Sequence, residues 1–216
     1  MKRYLLIFAL ALGAHAAMVE SNKPRLIKIV YRHMASEIPA DSWAVQPRTL
    51  YIGGGTYSRL EEAPDPEQHI HGLIITSEPD VWMINLFGRR GQHIIDPGPT
   101  FVTHHNIMGA EAPKELWALE FGKEVEFLQN HHAAPAEAKV IEGQQCDASE
   151  YGLAPYRIVL YVRSDTHTPF QLDIFKDDSA YSSVRYLSYE TGIAFDAALF
   201  RPPADVTMTE AKGGSR

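Results

Sequence analysis

Apolar residues that recur at every second position constrain the fold of this chain most strongly. In the last third, YRIVLYVR spaces them in this way at Tyr156, Ile158, Leu160 and Val162. Side chains two positions apart point to the same face of a strand, so this stretch predicts a strand with one apolar face. PFQLDIFK repeats the pattern, and the turn sequences SDTHTP and KDDS separate the stretches. Together they predict antiparallel hairpins.

The middle of the chain shows the same period. Apolar residues fall two apart at Leu73 and Ile75, and again at Trp82, Ile84 and Leu86. The turn signals APDPE and SEPD separate these runs, and the GGG at 53–55 indicates a bend or bulge. Either a helix or a strand fits the earlier stretch RLIKIVYRHM, and we favour a strand. This part of the chain therefore predicts an antiparallel meander.

One segment has a helical period instead. In PKELWALEFGKEVEFLQN the apolar side chains fall four, four and three apart, at Trp117, Phe121, Val125 and Leu128. This spacing predicts one amphipathic helix near 113–130, opened by Pro113, with the apolar stripe packed on the sheet.

The N-terminal sequence MKRYLLIFALALGAHAAM has two cations, an apolar stretch and a small-x-small cleavage signal. It predicts a secretory signal peptide at 1–17, followed by a single domain at 18–216 without an integral membrane segment. The sole cysteine, Cys146, is far from the cleavage site and cannot carry a lipid anchor there. It can form no internal disulfide either. We expect a soluble periplasmic or secreted protein whose fold depends on its core.

The charge balance excludes some partners. The full chain carries a formal charge of -7, which becomes about -9 once Lys2 and Arg3 are removed, and it contains no basic run. A surface of this kind does not favour nucleic acid or anionic lipid headgroups.

Histidines are the candidates for a metal site. EQHIHGLII places His69 and His71 two residues apart, where strand geometry would make the imidazoles neighbours. His93, or the pair His104 and His105, could complete a zinc-type site. The alternative is that these residues form a polar rim along the sheet, and the spacing does not meet a zinc motif by itself.

The apolar positions also have two interpretations. They are either ordinary core or the wall of a cavity for a lipid-like ligand. The candidate wall residues are Leu73, Ile75, Trp82, Ile84, Leu86, Trp117 and Phe121.

The C-terminal third resembles the closing strands of the LolA/LolB-like superfamily, the periplasmic lipoprotein carriers and their relatives. The resemblance rests on a strand, turn and strand followed by a phrase like LFRPPADV. Its residues are Pro169, Leu172, Asp177, Tyr186, Phe195, Leu199, Phe200, Pro202 and Pro203. DVWMINL with Trp82 is similar to a strand of these proteins. The resemblance implies an incomplete, curved antiparallel β-barrel closed by helices around an apolar cavity, in a binding protein without catalytic residues or cofactors.

We therefore expect an α+β fold, with a curved antiparallel sheet covered by one or more helices. The expected function is binding of a lipid, acyl chain or lipoprotein-like apolar ligand, with the Trp117 helix as a lid. One alternative is a metal-binding protein or metal-dependent hydrolase that uses the histidines. Another is an envelope interaction or sensing domain with a filled core, because a fold alone does not fix a function.

Overall fold

The computed structural model describes residues 23–35, 37–109 and 111–211. The predicted signal peptide at 1–17 lies outside the described residues. Twelve strands form within them: β1 Leu26–His33, β2 Arg48–Gly53, β3 Tyr57–Glu61, β4 Gly72–Ser77, β5 Asp80–Asn85, β6 Arg90–Ile95, β7 Ala134–Ile141, β8 Gln144–Leu153, β9 Tyr156–Arg163, β10 Pro169–Lys176, β11 Ser179–Ile193 and β12 Thr207–Glu210. One α-helix, α1, spans Glu124–Asn130, and short 3-10 helices lie at Trp43–Val45, Lys114–Leu116 and Ala197–Phe200.

The twelve strands of the described residues belong to one sheet with the order β12-β6-β5-β4-β3-β2-β1-β11-β10-β9-β8-β7. Neighbours are antiparallel except β12 and β6, which run parallel. The prediction that 26–33 is a strand is confirmed, and this strand lies mid-sheet, where Lys28 pairs with Tyr51 on one side and Glu190 on the other. The sheet is open, with β12 and β7 at its edges.

The register assigns the apolar residues to two faces. Ile29 pairs with Leu50 and Leu50 with Leu60. These residues belong to the cluster that also contains Phe127 and Leu128 of α1, and we call this side of the sheet the helix face. Leu60 pairs with Ile74, which therefore lies on the helix face. Its neighbour in β4, Leu73, points to the opposite face.

Leu73, Ile75 and Ile84 form a second buried cluster on that opposite face, covered by Phe200 from the C-terminal segment. A third cluster contains Cys146, Val159 and Phe170. The core is therefore divided among separate clusters on a single sheet.

The predicted α+β class is wrong. The described residues are mostly β, and their one α-helix has seven residues, so helices do not cover the sheet. Irregular segments cover much of it, because Leu116, Leu119 and Phe121 pack into the helix-face cluster from a stretch that is largely not helical. The described part of the chain contains no helix long and apolar enough to cross a membrane.

The single helix expected near 113–130 is broken at Gly122. This glycine has φ +88°, which ends any helical path for an L-residue backbone. The residue just before it bonds to a distant part of the backbone and not within a helix: the Phe121 N–H donates to the His105 carbonyl at 2.9 Å. Only the last turns of the predicted helix form, as α1.

Candidate functional site

A cleft of about 310 Å³ lies between α1 and the helix face of strands β8 and β9. Its lining combines apolar and polar side chains: Val125, Leu128, Gln129, Ala133, Ser149, Leu160, Val162 and His167. The register explains the sheet side, because Ser149 pairs with Leu160, and Val162 points to the same face two residues further. The volume lies at the lower end of the range of about 300–1,000 Å³ seen for small-molecule sites.

The helix side of the cleft comes from the C-terminal half of the predicted apolar stripe. Leu128 is buried in the helix-face cluster, whereas Val125 and Ala133 are partly exposed to the cleft. His167 reaches the cleft from the turn between β9 and β10, where its N–H donates to the Arg163 carbonyl at 2.8 Å. The cleft thus has an apolar interior with amide, hydroxyl and imidazole groups in its lining.

A buried carboxylic acid anchors α1 beside this cleft. Glu124 is fully buried, and its carboxyl oxygens accept hydrogen bonds from Tyr186 Oη at 2.9 Å and Tyr189 Oη at 3.1 Å. The Gly122 N–H donates to it at 3.0 Å. Burial raises the pKa of Glu124 above its usual range, despite these donors. The network connects the start of α1 to β11.

A second buried acid holds the segment that precedes α1. Glu120 accepts hydrogen bonds from His104 Nδ1 at 2.7 Å and Lys123 Nζ at 2.9 Å. Burial by itself would raise the pKa of Glu120, but these two partners outweigh burial and lower it. These charged hydrogen bonds stabilise the segment at 113–123, which covers the sheet before α1 begins and which we call the strap.

The seven predicted wall residues do not line one cavity. Leu73, Ile75 and Ile84 are buried core of the opposite face, with Trp82 and Leu86 packed against them. Phe121 is core of the helix face, packed against Tyr31 with ring centroids 4.2 Å apart.

Trp117 also lies apart from the cleft. Its side chain is 45% exposed, and its indole N–H donates to the Ala112 carbonyl at 3.0 Å. The tryptophan predicted as the lid residue therefore stands in the strap that precedes α1.

The candidate histidine ligands lie in separate places. His69 and His71 precede β4, in the connection from β3, and both contact the Phe87 ring, while His71 Nε2 lies 3.3 Å from Glu61. His93 is on β6, and His104 pairs with Glu120. His105 is partly buried, which lowers its pKa. No group of three or more metal-ligating side chains occurs among the residues that the structure describes, so the metal hypothesis is not favoured.

His93 has a different role in the structure. Its Nδ1 lies 2.9 Å from Glu210 on β12 and its Nε2 lies 2.7 Å from Asp80 on β5. The ring also stacks on Trp82, with centroids 5.3 Å apart. The hydrogen bond with Glu210 and then that with Asp80 raise the pKa of His93, which favours the charged imidazole in this link between β5, β6 and β12.

The sequence analysis missed Gln129, Ala133, Ser149 and His167 as cleft residues. Val125 and Leu128 were recognised only as a stripe, and Leu160 and Val162 only as one strand face. The available sequence signal for the cleft was that this helical stripe and this strand face are both apolar and could pack against each other. The polar residues carried no signal, because β8 was not predicted as a strand, so the pairing of Ser149 with Leu160 could not be inferred.

Comparisons with known proteins give structural likenesses only. No protein-family model matches the sequence, and no curated protein matches it. An uncharacterized conserved protein from Thermus thermophilus aligns over 93% of this chain and 99% of its own, with 9% identity and a TM-score of 0.48.

Two further structures align at similar identity. A chain of the Pseudomonas aeruginosa MucA/MucB complex aligns over 88% of this chain and 60% of its own, with 9% identity and a TM-score of 0.44. This chain thus spans less than two thirds of that one. A domain named for outer membrane lipoprotein sorting, from Vibrio parahaemolyticus, aligns over 83% and 91% with 11% identity and a TM-score of 0.31. These scores are too low to transfer a function.

Proposed function

We propose that this protein binds an acyl chain or a similarly narrow apolar ligand in the cleft between α1 and strands β8 and β9. The observation that carries the proposal is the cleft itself, about 310 Å³ with Val125, Leu160 and Val162 in its wall. The volume suits one narrow chain better than a two-chain lipid. An acyl chain of a fatty acid, a lipid or a lipoprotein offers the same methylene surface.

The lining provides both parts of such an interaction. Each methylene removed from water contributes about 0.8 kcal/mol, so the affinity should rise with chain length until the cleft is full. Gln129, Ser149 and His167 offer hydrogen-bond donors to a carboxylate or ester end of the ligand. A mostly apolar wall with a few polar groups is the usual composition of a small-molecule site.

We further propose that the protein acts in the periplasm or after secretion, and that it binds its ligand without transforming it. The N-terminal sequence supports the location, since its cationic start, short apolar stretch and Ala-His-Ala signal are typical of a secretory leader. Edman sequencing of the protein recovered from its cell envelope should show a new N-terminus after Ala16 or Ala17.

The test of binding is calorimetry with octanoate, decanoate, dodecanoate and hexadecanoate. We expect one site, with affinity that rises along the series and then stops rising. Val125→Asp should weaken dodecanoate binding by about tenfold or more, because it places a carboxylate against the chain. Val140→Asp is the matched control, since Val140 is 66% exposed on β7 and lies outside the cleft.

Two outcomes would contradict the proposal. Affinity that does not depend on chain length would mean that methylenes are not buried. Equal loss of binding in the Val125 and Val140 variants would mean that the added charge acts through the whole protein and not in the cleft.

A further inference from the structure

A second cavity, of about 250 Å³, lies on the opposite face of the sheet. Strands β3, β4 and β5 form its floor, and the C-terminal segment around the 3-10 helix at Ala197–Phe200 forms its wall. The lining residues are Lys23, Tyr57, Ser77, Trp82, Phe195, Ala197, Phe200 and Arg201. This volume is slightly below the range of about 300–1,000 Å³ seen for drug-sized ligand sites, so the pocket suits a small molecule.

The pocket has a fixed aromatic lining. The Tyr57 ring meets Phe195 edge to face at 4.9 Å, and Phe195 stacks on Phe200 at 5.3 Å with an interplanar angle of 17°. Asp196 holds this arrangement, because its side chain accepts a hydrogen bond from the Ala198 N–H at 2.9 Å. Phe200 is only 3% exposed. Rigid rings of this kind favour a flat aromatic ligand.

The charges at this pocket have one sign. Among the described residues that line it, Lys23 and Arg201 are the charged ones, although the chain as a whole carries -7. Lys23 Nζ lies 5.1 Å from the centroid of Phe195 and 5.5 Å from that of Tyr57. Within 23–35, 37–109 and 111–211, neither cation forms an ion pair with a carboxylate. Two cations beside aromatic rings, with no carboxylate among the described lining residues, favour an anion.

We infer that this pocket is a second binding site, for a small carboxylate that carries a flat aromatic group. The aromatic group would pack among Tyr57, Trp82 and Phe195, and the carboxylate would lie between Lys23 and Arg201. The site is independent of the acyl-chain cleft, because the two lie on opposite faces of the sheet.

The test uses 2-naphthoate and its uncharged counterpart 2-naphthalenemethanol. Calorimetry should show one site for 2-naphthoate that weakens by about tenfold in Lys23→Gln/Arg201→Gln, since hydrogen bonds to a charged group are lost. Lys176→Gln/Arg90→Gln is the matched control, with the same change of charge outside the pocket. Binding of 2-naphthalenemethanol should be equal in all three proteins.

The location is tested by the tryptophan indole N–H signals in a ¹H–¹⁵N spectrum. The sequence has three tryptophans, so Trp43 and Trp117 serve as internal controls. Addition of 2-naphthoate should shift the Trp82 signal, which Trp82→Phe identifies, and leave the other two in place. Equal affinity in the two double variants, or no shift at Trp82, would overturn the inference. Neither result would affect the acyl-chain proposal, because Lys23, Arg201 and Trp82 do not line that cleft.

Discussion

Replacement of Glu124 by alanine should be among the most damaging single changes in this protein. It removes the acceptor of the Tyr186 hydroxyl, whose side chain is 1% exposed, and of the Tyr189 hydroxyl and Gly122 N–H. An unsatisfied buried donor costs about 1–3 kcal/mol, and the cavity adds to that. We expect a loss of about 3–5 kcal/mol in the free energy of unfolding.

Glu124→Gln separates the hydrogen bonds from the charge, because the amide keeps the shape and stays neutral. The raised pKa of Glu124 means that its stabilising contribution is complete below the ordinary pKa of about 4.3 and is lost as pH rises through the folded-state pKa. In that window, the advantage of the wild-type protein over Glu124→Gln should fall by about 1.4 kcal/mol per pH unit.

The assay is urea unfolding at a series of pH values, followed by far-ultraviolet circular dichroism, for the wild-type protein and both variants. Glu126→Gln is the control, because Glu126 lies on the same helix and is exposed. If the cost of Glu124→Gln instead grows as pH rises, the three donors must stabilise an ionised carboxylate more than burial disfavours it. That result would refute a raised pKa for Glu124.

Three further predictions concern other elements. As the pH rises above the ordinary histidine pKa of about 6.5 and through the raised pKa of His93, the stability that the charged form provides should be lost. Amide hydrogen exchange in β12 should therefore become faster, and His93→Gln should abolish this pH dependence. Gly122→Ala should cost at least about 1 kcal/mol in urea unfolding, because φ is +88° and the new Cβ would lie 3.2 Å from Ile52 Cδ1. Trp117→Asp should change dodecanoate affinity by less than about twofold in calorimetry, because this exposed side chain is not in the cleft lining, and abolished binding would restore the lid hypothesis.

Strands with strict alternation were predictable from the sequence. Leu73, Ile75, Trp82 and Ile84 share a face, as their spacing indicates, because a strand reverses its side-chain direction at every residue. Which face they occupy depends on pairing between strands, and the spacing carries no information about that. Of the predicted wall residues on these strands, Leu73, Ile75 and Ile84 are buried core of the opposite face, whereas Trp82 lines the second cavity on that face.

The helical prediction failed for a local reason. The stripe from Trp117 to Leu128 has the right period, but the backbone N–H of Phe121 bonds to His105 across the chain, and Gly122 then adopts a left-handed conformation. Tertiary pairing here outweighs periodicity. The edge strands β7 and β12 were also missed, because most of their side chains are exposed, so neither strand has a strongly apolar face to mark it in the sequence.

The central position of β1 sets the order in which this fold can assemble. The pair Lys28 and Glu190 joins residues 162 positions apart, whereas the hairpins on either side of it connect neighbours in the chain. The strands from β1 to β6 can therefore pair as soon as they are available, but one edge of β1 stays open until β11 arrives. Closing so distant a contact is slow, because chain entropy is lost before the contact is made. Joining the two halves of the sheet along β1 and β11 should thus limit the folding rate, and an unfinished chain would present β1 as an open edge for aggregation.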